Sequence, residues 1–418
     1  GGEEAYPDQG AVLIRASVWD NPLRERGLGH SRHYCRLAIG SMEKCDLSPN
    51  GAGITCEGGD RHREDTVEGR RAIWQEYTAR VERLAPSFDV PFPNGGESGR
   101  DAEPRPPLTR EDARRHYSLS EEQLAAFRRD RWIRLKGVLP HETLLAAREN
   151  LIRLATRACQ GTNPSLPPSP LPPLADTAGP AEREERWGDI SEPSRRSWNL
   201  QMMWAVDPVV RELVLSPRVA GIVDRLLECD EGVRLYHDNC LSRAPGSQRT
   251  KWHCDDGPRG YMAMTGRKVC TVWVPLQRTP PAKGALVFPR VARGGARLDS
   301  WGCAERRGCP GNEQTEEYDH FVSEALEESG CVPDEATYEL GDVSVHATDC
   351  YHAATPNVCD TPRMILASTY FADGARMRED VDYDTMPVGQ KRDWDKFAPG
   401  VTPGELVATK FNPLIPCA

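Results

Sequence analysis

The sequence contains no C-x-x-C pair, although it holds 14 cysteines in 418 residues. That leaves no zinc-ribbon or thioredoxin-like signal. No stretch approaches 18 consecutive apolar residues, which excludes a transmembrane helix, so no membrane partner is expected. Basic charge is not in excess. Lys and Arg number 53 against 63 Asp and Glu, a net charge of -10. This balance argues against nonspecific binding to a phosphate backbone, and no nucleic-acid partner is expected. No internal repeat is present, and with it no sign of a solenoid or propeller. The first residues, Gly1-Gly-Glu-Glu-Ala-Tyr6, have neither Met nor an apolar signal region. They read as a processed end with any targeting segment out of sight, and a soluble chain with a slight preference for the cytoplasm is expected.

What is present can build a core. Hydrophobic residues make up 38% and charged residues 28%, so disorder throughout is excluded. The length allows two to four domains, or one domain with large additions. Cys35, Cys45 and Cys56 cluster near the start, and Cys303 and Cys309 flank a Gly/Arg loop. Disulfides and free thiols are both open on composition.

Residues 1–108 are hard to read and form an extension of unknown role. Ala11–Ser17 is a short apolar run, and Thr66–Leu84 has helical spacing through Val67, Ile73, Trp74, Tyr77, Val81 and Leu84. His30, His33 and Cys35 invite a metal site but lack a fourth ligand at a recognisable spacing. Residues 98–108, rich in Pro and charge, read as a linker. From 109 to 418 the chain is more regular. Ser120 is an N-cap candidate ahead of Glu121 and Glu122, opening a helix through Leu124 and Phe127 to about Asp130. Trp132–Leu135 is strand-like, Gly137 a turn, and Pro140–Ala158 a second helix. Residues 162–180 are Pro-rich. Val209–Leu227 is helical.

From Val233 the period changes. Val233–Tyr236, Val269–Leu276, Ala285–Phe288, Asp342–His346 and Met364–Phe371 are short β-branched and aromatic segments separated by Gly and Pro. This pattern predicts an antiparallel sandwich or barrel. Arg293–Ala336 interrupts it with a long Gly/Cys/acidic insert, expected to be functional, for example a lid.

Lys251-Trp-His-Cys-Asp-Asp-Gly257 contains His253-x-Asp255. On a strand, positions i and i+2 share a face, so the imidazole and carboxylate can converge, as two of the three groups of a facial Fe(II) triad. Chance placement gives about 1.5 such triplets in this composition, and His62-x-Glu64 is read as a surface instance. The company of His253-x-Asp255 lifts it above chance. Gly341-Asp-Val-Ser-Val-His346 is followed by Tyr351-His-Ala-Ala-Thr-Pro-Asn357 and by Pro362-Arg363 at the head of the next strand. This order would set a third ligand and a cation in one cavity.

These residues resemble the phytanoyl-CoA dioxygenase family of Fe(II)/2-oxoglutarate oxygenases. The resemblance runs from Ser118 to Pro416. It includes Trp252-His-x-Asp255, Thr271-Val-Trp-Val-Pro-Leu276, Lys283-Gly-Ala-Leu-Val-Phe288, His352-Ala-x-x-Pro-Asn357, Tyr370-Phe-Ala-Asp-Gly374 and Phe411-Asn-Pro-Leu414. It implies a mainly β fold with flanking helices around a double-stranded β-helix, the cupin-like jelly roll. It also implies Fe(II), 2-oxoglutarate and O2 as cofactor and cosubstrates, with ascorbate a candidate reductant.

By position, His253, Asp255 and His352 match the metal ligands, and Arg363 the cation that binds 2-oxoglutarate. Trp273 and Arg243 fall where further cosubstrate contacts are common, although core packing also accounts for Trp273. His346 is a rival to His352. Only His352 has Asn357 and Arg363 at the matching offsets, which leaves His346 behind the ligands or facing substrate. His237 and Asp238 are candidates to line the pocket, with satisfied core polar groups as the alternative. Halogenases of the superfamily replace the carboxylate by a small residue, so Asp255 points to hydroxylation or a related oxidation of an unactivated C–H bond in a small molecule. A non-catalytic small-ligand-binding member of the fold is the alternative. The Gly-Ser-His turn common in the family is replaced here by Pro289-Arg-Val-Ala-Arg293. Substrate and oligomeric state are not legible.

Overall fold

The fold was analysed in a computed structural model. It describes residues 13–19, 34–38, 115–159, 197–205, 207–255, 262–292, 294–305, 315–382, 386 and 388–417. The predicted helix at 66–84, the linker at 98–108, the Pro-rich 162–180 and the side chains of His30, His33, Cys35, Cys45 and Cys56 lie outside the described residues.

Thirteen described strands form two antiparallel sheets: β1 (Leu13–Trp19), β2 (Tyr34–Ala38), β3 (Trp132–Leu135), β4 (Ser197–Gln201), β5 (Val233–Arg243), β6 (Thr250–His253), β7 (Val269–Pro275), β8 (Leu286–Val291), β9 (Cys331–Glu335), β10 (Val343–Ala347), β11 (His352–Ala354), β12 (Arg363–Ala372) and β13 (Leu414–Ile415). The large sheet runs β2-β1-β4-β5-β12-β7-β10-β3, with β13 beside β5, and the small sheet β6-β11-β8-β9. The sheets face one another across a core that mixes both. Trp132, Trp273 and Ile365 come from the large sheet, and Leu286, Phe288 and Ala354 from the small one. This is the expected jelly roll with helices outside. β1 and β2, drawn from the extension at 1–108, continue the large sheet by pairing β1 with β4.

Helices α1 (Glu121–Asp130), α2 (His141–Cys159), α3 (Pro208–Val214), α4 (Pro217–Leu227) and α7 (Val388–Phe397) lie on the chain around the large sheet. Its outer face buries Val272, Val274, Leu366 and Tyr370 with Phe127, Leu151, Ile222 and Trp394 from those helices. Ser120 caps α1 as its sequence predicts. Its hydroxyl accepts from the Gln123 amide at 3.2 Å, while the Gln123 side chain accepts from the Ser120 amide at 2.9 Å. Residues 209–227 form two helices rather than one. Pro217 cannot continue an interior helix, so the chain breaks at Leu215 and restarts behind Ser216.

The insert is not a lid in its described part, which is a correction to the expectation. Strand β9 extends the small sheet as the neighbour of β8, and helices α5 (Ser300–Glu305) and α6 (Glu316–Glu328) cover its outer face. There Tyr318, Val322 and Leu326 pack on Trp252, Val287 and Ala353. Asp319 fixes the layer, accepting from the Trp252 amide at 2.8 Å and pairing with Arg249. Trp252, Val287 and Ala353 alternate with interior-facing residues, so the small sheet needed an apolar cover on this side. Among the described residues, no helix is long and apolar enough to cross a membrane.

Candidate active site

Two strand registers build the site. On the small sheet, His352 of β11 stands directly opposite His253 of β6. Directly opposed residues send side chains to the same face, and the two rings lie 4.2 Å apart between centroids. Asp255 follows two residues after His253. Its Oδ1 lies 3.6 Å from the His352 Nε2. One ligand-type atom from each of His253, Asp255 and His352 falls within 4.8 Å of the others.

The backbone sets the tautomers. The Nδ1 of His253 faces the Lys251 carbonyl at 2.8 Å, and the Nδ1 of His352 faces the Cys350 carbonyl at 3.2 Å. A nitrogen facing a carbonyl must carry the proton, so each Nε2 keeps its lone pair for the centre of the cluster. Burial, with the neighbouring His253 and His346, holds His352 well below the ordinary imidazole range and therefore neutral. Burial alone would raise the Asp255 carboxyl. The surrounding imidazoles, including a hydrogen bond from His346, instead hold it well below the carboxylate range. Two neutral imidazoles and one carboxylate, all with free lone pairs, fit a divalent non-haem iron.

His346 sits behind this group. Its Nε2 is 3.1 Å from the Asp255 Oδ2, and its side chain is buried. The Thr271 hydroxyl donates to the same Oδ2 at 2.6 Å and lies 3.1 Å from the Thr369 hydroxyl. Thr271 was not singled out from the sequence. A Thr in a buried β-branched strand reads as a strand former, and only the register of β7 against β10, which pairs Thr271 with His346, reveals it.

The second register places the cations. Arg363 of β12 lies opposite Arg243 of β5. Arg363 is buried, and its Nε finds no hydrogen-bond partner among the described residues. Arg243 is part-buried and donates to the Thr250 hydroxyl at 3.1 Å. Among the described residues neither guanidinium has an acidic partner within salt-bridge distance. Burial and the charge of Arg243 push Arg363 down to about 9. A buried cation without a counter-ion is costly, and a bound carboxylate would supply the missing charge. Trp273 stacks beneath it, with the Arg363 Cζ 5.8 Å from the ring centroid. Gly284 sits against it at φ +80°, where a Cβ would stand 3.2 Å from the Arg363 Nε.

Asn357 shapes the turn between His352 and Arg363. Its amide donates to the Arg243, Ala244 and Thr361 carbonyls, and its Oδ1 accepts from the Cys359 amide. The offsets of Asn357 and Arg363 from His352 therefore have a physical basis.

Of the remaining candidates, His237 faces the barrel interior in register with Thr369 and stacks on Phe397 at 4.3 Å. Asp238 does not line the pocket. Strand alternation turns it to the outer face, where its carboxylate accepts from the Met203 amide at 2.9 Å and the Trp204 amide at 3.3 Å. The sequence reading of Asp238 as substrate-facing is corrected on this ground.

A model of the phytanoyl-CoA dioxygenase (PhyH) family matches residues 127–365, more than half of the chain. The chain belongs to the phytanoyl-CoA dioxygenase family. As a member it is a non-haem iron, 2-oxoglutarate-dependent oxygenase that uses iron, 2-oxoglutarate and O2. No curated protein matches the sequence. Among solved structures, this family member is similar to the α-ketoglutarate-dependent carbocyclase SnoK from nogalamycin biosynthesis, at 19% identity over 74% of this chain and 99% of that one, with a TM-score of 0.48. The corresponding values for EctD from S. alaskensis with 2-oxoglutarate and 5-hydroxyectoine are 19%, 76%, 98% and 0.45. For the epimerase SnoN from nogalamycin biosynthesis they are 18%, 70%, 97% and 0.44. Likenesses of this size say nothing about the substrate of this oxygenase.

Proposed function

We propose that His253, Asp255 and His352 hold the iron, and that the enzyme hydroxylates or otherwise oxidises an unactivated C–H bond of a small molecule. The observation that carries the assignment is the gathering of one donor atom each from His253, Asp255 and His352 within 4.8 Å, with both Nδ1 atoms against backbone carbonyls and with a buried Arg363 that has no acid partner among the described residues. Iron bound there would supply the activation of O2 with 2-oxoglutarate as co-reductant. The chain's own residues do the rest. Arg363 pairs with the far carboxylate of 2-oxoglutarate, and a planar guanidinium suits that role because it binds a carboxylate bidentately. Trp273 keeps Arg363 in place from below, and Arg243 adds positive charge beside it. His346 and Thr271 both donate to the Asp255 Oδ2, which leaves Oδ1 as the oxygen for the metal. Aliphatic and aromatic packing from Ile365, Phe288 and Trp132 closes the interior behind the ligands to water.

The test is succinate formation from 2-oxoglutarate, dependent on Fe(II), in wild type and in His352→Ala. Product from the wild type and none from the variant is expected. Equal product from both would remove His352 from the site.

A further inference from the structure

We propose that His237 orients the substrate, its imidazole hydrogen-bonding an uncharged polar group, a hydroxyl or an amide, close to the carbon that is oxidised. The proposal rests on the iron-site assignment above, because it takes that cluster as the reacting centre.

One row of side chains crosses the inner face of the large sheet at the level of the metal donors. The registers set His346 of β10 opposite Thr271 of β7, Thr271 opposite Thr369 of β12, and Thr369 opposite His237 of β5. Directly opposed residues share a face. His346 and Thr271 hold the Asp255 carboxylate, and the Thr271 hydroxyl lies 3.1 Å from that of Thr369. His237 ends the row, near enough for the charge of Asp255 to act on its ring. Arg363 and Arg243 lie six residues further along β12 and β5. His237 therefore belongs to the iron end of the barrel, away from the carboxylate that Arg363 would hold.

The first three members of the row make hydrogen bonds within the cluster. His237 does not. It is 8% exposed, and its Nδ1 is buried without a hydrogen-bond partner among the described residues. The Asp238 backbone acts on the ring but completes no hydrogen bond to that atom. Buried polar atoms without partners are rare and call for an explanation, and a bound molecule is one source of the missing partner.

The C-terminal segment holds the ring in place. His237 stacks on Phe397, at the end of α7, with centroids 4.3 Å apart and planes 21° apart. Asn412 is fully buried and donates to the Phe397 carbonyl at 3.0 Å and to the Leu235 carbonyl at 3.1 Å. It thereby ties the end of α7 to β5. This gives the Phe411-Asn-Pro-Leu414 motif a role, because Asn412 positions Phe397 and through it the imidazole.

The chemistry of the ring selects the ligand class. Burial lowers it to about 4, so it is neutral near pH 7. A neutral imidazole carries one donor and one acceptor, which suits a hydroxyl or an amide. The charge of Lys396, which donates to Gln201, also acts on the ring and disfavours a cationic group there. A hydrocarbon would leave the Nδ1 unpaired. Sites built around such a group discriminate strongly against analogues lacking the matching polar atom.

The experiment uses the full chain with Fe(II) and 2-oxoglutarate. Succinate formation is compared without substrate, with a neutral polar panel (N-acyl amino acid amides, nucleosides and glycosides), with octylammonium and with octane. At least one neutral polar compound should raise succinate well above the substrate-free rate, and octylammonium and octane should not. His237→Phe should raise the KM of that compound about tenfold or more, while the Kd of 2-oxoglutarate from anaerobic titration stays that of wild type. His237→Gln, which restores a donor and an acceptor, should recover part of the KM. Phe397→Leu, which removes the stack, should shift the KM in the same direction by a smaller factor. His237→Phe keeps the stack and removes an unpaired nitrogen, so it should melt no lower than wild type at pH 7, whereas loss of a merely structural residue would lower the melting temperature. An unchanged KM in His237→Phe, a lowered melting temperature, stimulation by octane or octylammonium, or a polar panel without effect would each overturn the proposal. A weakened 2-oxoglutarate Kd in His237→Phe would also overturn it, by giving His237 to the cosubstrate. Complete absence of iron-dependent succinate under every condition would instead contradict the iron-site assignment.

Discussion

The Nε2 of His346 lies 3.1 Å from the Oδ2 of Asp255, on the oxygen that Thr271 also holds at 2.6 Å. Under the proposed assignment, this third imidazole orients the carboxylate while His253 and His352 occupy the centre. Partners of this kind are typically worth tenfold to a hundredfold in metal affinity. We expect His346→Gln and Thr271→Val each to weaken Fe(II) binding by about tenfold without abolishing it. Anaerobic Fe(II) titration of the folded variants checks this. If His346→Ala loses iron while His352→Ala retains it, the two histidines have exchanged roles.

Among the described residues Arg363 has no acid partner, so under the proposed assignment its contribution appears when 2-oxoglutarate binds. Charged hydrogen bonds contribute roughly 1.5–3 kcal/mol, which corresponds to a tenfold to hundredfold loss of 2-oxoglutarate affinity in Arg363→Met. Arg363→Lys should recover part of it, since a point charge cannot make the two parallel bonds. Gly284→Ala should move in the same direction, because the new methyl would press on the Arg363 Nε and the glycine sits at positive φ. Equal Kd values across wild type, Lys and Met would pass the cosubstrate to Arg243.

His237 and Asp238 are adjacent but oppose one another in their pH dependence. Burial lowers His237 to about 4 and raises Asp238 to about 6. As pH falls from about 6.5 to 4, the unfolded chain protonates His237 and the native state does not, so stability is lost. As pH falls from about 6 to 3.8, the native state protonates Asp238 first, so stability is gained. Each contribution is about 3 kcal/mol, and in the wild type they largely offset. His237→Phe, which keeps the stack on Phe397, should therefore gain stability towards pH 4 relative to wild type, and Asp238→Asn should lose it. Urea unfolding at pH 4.5 and 7 reads the two slopes. Parallel slopes in all three proteins would show that neither group titrates as its burial requires.

Much of this site was legible because it depends on short-range rules. The i, i+2 spacing of His253 and Asp255, the offset from His352 to Arg363 and the N-cap at Ser120 all appear in the structure where the residues placed them. Five strands from Val233 onward showed their period, although β5 runs to Arg243 rather than Tyr236, and β6, β9 and β11 were not among the segments read. Features that depend on which strand lies beside which were not legible. Thr271 and Thr369 look like ordinary strand residues until β7 pairs with β10 and β12. Asp238 was misplaced because adjacent strand residues face opposite sides, and the irregularity in the β5–β12 pairing beside His237 decides which of the two faces inward. β4 was missed, since Ser197-Trp-Asn-Leu-Gln201 carries little β-branched signal. The insert read as a lid because its apolar residues gave no hint that the small sheet needed an outer layer.

The most direct test of the account is iron binding by wild type, His253→Ala, Asp255→Ala, His352→Ala and His346→Ala, followed in the same samples by succinate formation from 2-oxoglutarate. We predict iron and succinate in wild type, neither in the first three variants, and weakened iron with measurable succinate in His346→Ala. Iron-dependent succinate from Asp255→Ala or His352→Ala at the wild-type rate would contradict the assignment of the metal site.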